Sequence, residues 1–165
     1  MSAETTTSST TTTTDRQATA TTTAESNLSR NDRNFFEKAA KSGMKEVAVS
    51  QSVVDRLTNP QVKQFAQMMV DEHTGANAEL ASLAAAKGVT LPVQDTKLAD
   101  KWSKKTDELD EDYMEEMVSD HKDAVKLFED AAKSKDAEIA AFASKTLPKL
   151  QAHFTQAKTL KELVD

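Results

Sequence analysis

The stretch PQVKQFAQMMVDEHTGANAELASLAAAKG, residues 60–88, decides the fold. Val62, Ala66, Met69, His73, Ala76, Leu80 and Leu83 recur in alternating steps of three and four, the spacing of one face of an α-helix. Pro60 suits the first helical position, and Gly88 suits the residue just past the last turn. Such a helix of roughly 27 residues is about 40 Å long. A single apolar face of that length needs partners of similar length.

The flanking sequence supplies them. Upstream, a first helix is expected from about Asp32, as N-cap, to Thr58, with Phe35, Phe36, Ala39, Ala40, Val47, Val54 and Leu57 at helical spacing. Asn59-Pro60 breaks the chain after it. Downstream, residues 88–108 form a long connection with turn residues around Pro92 and a short helix near Leu98–Trp102. A third long helix starts near Asp110 and runs through Met114, Met117, His121, Val125 and Phe128 to about Lys133. Ser134-Lys135-Asp136 makes a tight turn, and Asp136 caps a fourth helix with Ile139, Phe142, Ala143, Leu150, His153, Ala157 and Leu160 inward. Pro148 predicts a kink or a split near Thr146. No stretch alternates with period two, so no sheet is expected. Two short connections and one long one predict an all-α, up-down-down-up four-helix bundle over residues 30–165, with a long crossover between helices two and three, the connectivity of ferritin-like folds.

Composition agrees and excludes several functions. The 165 residues suit one domain, and the absence of cysteine removes disulfides, thiolate metal sites and cysteine nucleophiles. A net charge of −6 gives no general attraction for nucleic acid or anionic lipid. No apolar run reaches the roughly 18 residues of a transmembrane segment. Residues 1–29 contain 12 threonines and almost no large apolar side chain, which predicts a disordered tether. They lack the basic start and apolar stretch of a signal peptide. The expected compartment is periplasmic or envelope-associated after removal of an export signal, because Thr-rich tethers are common behind such signals; otherwise it is cytoplasmic.

All three histidines fall on the inner stripes. His73 stands thirteen residues beyond Pro60 and His121 eleven beyond Asp110, so parallel helices bring them to similar heights. Across the two hairpins, His73 faces position 45, beside Glu46, and His153 faces Met117. Each long helix therefore offers one metal-capable side chain near its middle: Glu46, His73, His121 and His153. Neutral imidazole suits copper, zinc or iron, and no motif for an organic cofactor is present. Asp71, Glu72, Glu116 and Asp120 are available to orient the rings; Met69 and Met117 lean the set toward copper as ligands, against the commoner reading of methionine as gap-filling core. An ordinary di-iron centre requires Glu three residues before a histidine on two helices, whereas Val70, Val118 and Leu150 occupy those positions. The acidic run Asp107–Glu116 lacks the central glycine of a calcium loop and reads as a solvated helix start.

The landmarks Phe36, Ala39-Ala40, Ser42-Gly43, Glu46-Val47, Val62-Lys63, Phe65-Ala66, Met69-Val70, Asp110, Tyr113, Met117-Val118, Phe128 and Leu147-Pro148, with the three histidines, resemble a bacterial ferritin-like family, domain of unknown function 4142. The resemblance covers about Asn34 to Leu160. It departs at Glu72, where the family usually has Asp before the histidine. It implies a ferritin-like bundle, often exported, with no agreed activity, and it draws attention to the same four side chains. The leading expectation is a metal-binding protein. The alternative is a non-catalytic helical interaction or stress-protective module with a polar, metal-free core and an exposed apolar patch. An enzyme using Glu46 as base, and a homo-oligomer, both stay open.

Overall fold

A computed structural model describes residues 28–165. The expected tether lies outside the described residues except for Leu28 and Ser29, and both of these belong to the folded part. Leu28 packs against the core, and Ser29 caps the first helix. The described residues form five helices and no strand: α1 (Arg30–Val53), α2 (Pro60–Ala86), α3 (Thr96–Lys104), α4 (Leu109–Ala131) and α5 (Ala137–Val164).

The ends of these helices follow local chemistry. The Ser29 hydroxyl accepts the Asp32 N–H and the Asp32 carboxylate accepts the Ser29 N–H, a reciprocal capping box. Asp32 is thus the third helical residue, not the cap expected from sequence. It also accepts the Ser134 hydroxyl at 2.6 Å, which ties the start of α1 to the turn after α4. Asn59 and Asp136 cap α2 and α5 with their side chains, and Gly88 ends α2's last turn at φ 70°.

Helix α1 stops five residues before Thr58. Asp110 accepts the backbone N–H groups of Thr58 (3.0 Å) and Asn59 (2.7 Å), which draws that segment toward α4. Arg56 meanwhile donates to the carbonyls of Trp102 and Lys105, pinning α3 to the end of α1.

Pro148 does not split α5, which is continuous from Ala137 to Val164. Pro148 and Ser144, whose carbonyl loses its helical donor, both face solvent. The defect is therefore hydrated, while Phe142, Ala143, Leu150 and His153 hold the helix to the core on either side.

Helix α1 packs against α2 and α4, and α5 against α4 and α2. Asp110 brings the start of α2 beside the start of α4. The Lys87 ammonium, just beyond α2, meets Asp136 at the start of α5 at 2.9 Å. The apolar interior falls into two clusters. One contains Val49, Val53, Met69, Trp102, Tyr113, Met117 and Ala157. The other contains Phe35, Phe36, Leu80, Ala124, Phe128, Ile139, Phe142 and Leu150. In every long helix the sequence between its residues in one cluster and the other contains a buried polar side chain: Glu46, His73, His121 and His153. The core is thus two apolar layers with a polar layer between. No described helix is long and apolar enough to cross a membrane.

Candidate metal centre

The three imidazoles form a nearly regular triangle. Ring centroids are 5.5 Å apart for His73–His121, 5.5 Å for His73–His153 and 5.4 Å for His121–His153. Each ring offers a nitrogen within 4.8 Å of those of the other two. All three side chains are buried.

Hydrogen bonds orient two of the rings. His121 Nδ1 lies 2.8 Å from the Met117 carbonyl one turn earlier; a carbonyl only accepts, so Nδ1 carries the proton and Nε2 a lone pair. His153 Nε2 lies 2.7 Å from Glu72 Oε2 and donates to it, leaving the lone pair on Nδ1. The fully buried ring nitrogens without a hydrogen-bond partner are His73 Nε2, His121 Nε2 and His153 Nδ1. A buried imidazole nitrogen without a hydrogen bond is costly, and this layer holds three of them.

Burial also keeps the rings uncharged. It holds the His73 pKa down to about 3, with His121 and His153 adding to the effect. Burial lowers His121 to about 4 against the opposing pull of the Met117 carbonyl. His153 is lowered as well, by burial that outweighs its bond to Glu72. At neutral pH the layer presents lone pairs rather than protons.

Glu46 lies in the same layer but is not a member of the group that shares the 4.8 Å radius. It is 2 % exposed, and burial followed by the neighbouring Asp120 charge drives its pKa well above the usual carboxylate range. Asp120 is raised too, chiefly by burial. Glu46 therefore favours its protonated form beside Asp120, which is held by Lys45 at 2.7 Å. Lys45 also pairs with Glu116. Height along the helix is as expected for Glu46, but its direction around α1 points to the neighbouring α4 flank. Equal heights do not fix azimuth.

Of the four acids expected to orient the rings, Glu72 does so. Asp71 instead accepts from Gln67, and Glu116 and Asp120 serve Lys45. Sequence reasoning missed the Glu46–Asp120 pair and the buried Ser50–Tyr113 hydrogen bond of 2.7 Å. A serine, a glutamate and a tyrosine within helical stripes were the available signals. It also missed why Gly43 stands in mid-helix. A Cβ there would lie 1.9 Å from Asn77 Oδ1, so glycine lets α2 bring Asn77 against α1.

Three ring nitrogens fixed by a carbonyl, a carboxylate and close packing match what a transition metal needs from a protein. Metal–nitrogen bonds of about 2.0–2.1 Å would require the nitrogens to close to about 3.3 Å in a tetrahedral site, a small inward shift of the rings.

No curated protein and no solved structure gives a significant match to the chain. A family model described as Domain of unknown function (DUF4142) matches residues 17–160. The match spans most of the sequence and includes all five helices up to Leu160, and the chain belongs to the DUF4142 family.

Proposed function

We propose that this protein is a ferritin-like metal-binding protein that holds one transition metal ion at His73, His121 and His153. The observation that carries the reading is the set of three inward, unpartnered ring nitrogens. A dication would satisfy all three at once. Without one, three unpartnered ring nitrogens face one another in a layer between two apolar clusters.

The donor set refines the choice of metal. With Glu46 outside the group of ring nitrogens, the ligands are nitrogens alone, which favours zinc or copper over iron. Glu72 contributes through His153, making that ring a stronger donor. Ferritin-like, up-down-down-up connectivity is supported by the paired starts of α2 and α4 and by the long 87–108 connection. An envelope location, part of the same proposal, rests on the Thr-rich composition of residues 1–29.

The exposed large apolar side chains among the described residues are Val93 and Leu163. These offer little to a partner-binding module, so the metal reading is preferred. Elemental analysis of protein purified without chelator tests it: zinc or copper equimolar with the chain is expected, and its loss in His73→Ala and His121→Ala. Metal content that survives both substitutions refutes it.

A further inference from the structure

A cavity of about 30 Å³ adjoins the histidine layer. His73 and His153 line it, and Leu80, Phe128, Phe142 and Leu150 make it largely apolar. Ala76 and Thr146 are half-buried and Lys149 is exposed, so the cavity reaches the surface between α2 and α5. About 10–15 Å³ of such space suffices for one water, so this cavity has room for a ligand of a few heavy atoms.

Three protein ligands leave a tetrahedral ion one position short, the pattern of an open rather than a closed site. The cavity touches two of the three rings. Resting on the triad reading above, we infer that the fourth position faces this cavity and takes a small monoanion of one to three heavy atoms. Charge favours an anion. Three neutral rings leave a dication uncompensated, and Glu72, the carboxylate among the lining residues, is engaged by His153 and lies 3.7 Å from Lys149. An apolar wall around the remaining space strengthens the attraction between ion and ligand.

The test uses azide as probe and the full chain loaded with equimolar copper(II). Azide is titrated while its charge-transfer absorption is recorded, for the native protein and for Ala76→Leu and Thr146→Leu. These substitutions fill the cavity from two different helices, so a folded example of either decides the question. Saturable azide binding is expected, weakened about tenfold or more in a filled variant, equivalent to about 1.4 kcal/mol, with copper content unchanged. Stoichiometric copper with no azide band, or equal affinity in a folded filled variant, overturns the cavity assignment alone. Failure to load copper, or loading that survives His121→Ala, overturns the triad and the ligand position together.

Discussion

Acidifying the metal-free protein from pH 6.5 to 4.5 should destabilise it in a way set by the polar layer. His73 and His121 have folded pKa values of about 3 and 4 against an ordinary value of 6.5. Within this window the unfolded chain binds protons that the folded rings refuse. Stability attributable to each ring is therefore complete above pH 6.5 and is lost as the pH falls, by about 1.4 kcal/mol per pH unit well below 6.5. Glu46 acts in the opposite sense. Its folded pKa is raised above the ordinary 4.5, so the folded state holds a proton that the unfolded state lacks, and its contribution grows as the pH falls. The two rings together lose about 4 kcal/mol over the window, unfolded histidine being half protonated at pH 6.5, and the Glu46 proton offsets part of this. The lowered pKa of His153 adds to the loss. Such a change is a large part of a typical folding free energy of about 5–15 kcal/mol. Urea denaturation at several pH values, on protein stripped of metal, measures it. Glu46→Gln removes the opposing proton and should raise the loss toward the full value of the two rings, about 4 kcal/mol over the window. Stability that is flat or rises toward pH 4.5, or a slope unchanged by Glu46→Gln, refutes the assignment of protons in this layer.

The remaining expectations concern the frame around the site. Ser29→Ala should cost about 1 kcal/mol by opening the capping box at α1, read as a lower midpoint in thermal melts. Asp110→Ala removes the acceptor for two backbone N–H groups and should cost about 1.5–3 kcal/mol, measured in urea at neutral pH. Gly43→Ala alone must displace Asn77. In an Asn77→Ala background the same change should stabilise by up to about 1 kcal/mol through helix propensity, and a double-mutant cycle separates the two effects.

Most of the helical frame was legible because each boundary has a local cause. Asn59-Pro60, Gly88 and Asp136 act within a turn of where they stand, and the seven-position stripe of α2 is a property of that helix alone. The misreadings arose where distant groups intervene. Asp32 looks like a cap until Ser29 is seen to pair with it. The end of α1 depends on Asp110, fifty-two residues after Thr58 in sequence. Pro148, expected inside α5, does not split it because packing on both sides outweighs one missing hydrogen bond. At the site, position along the helices brought His73, His121 and His153 to one height, and that sufficed for them. Glu46 shows the limit of that argument. Rotation about α1 sets it beside Asp120 and Lys45, and spacing does not encode that rotation.

In this proposal three histidines and no carboxylate form one metal centre. Anomalous diffraction at the zinc and copper edges, from crystals of protein purified without chelator, tests it most directly. A single peak is expected, with His73, His121 and His153 nitrogens at about 2.0–2.1 Å and Glu46 not among the ligands. No peak between these rings, or a peak ligated by Glu46 in place of one of them, would contradict it.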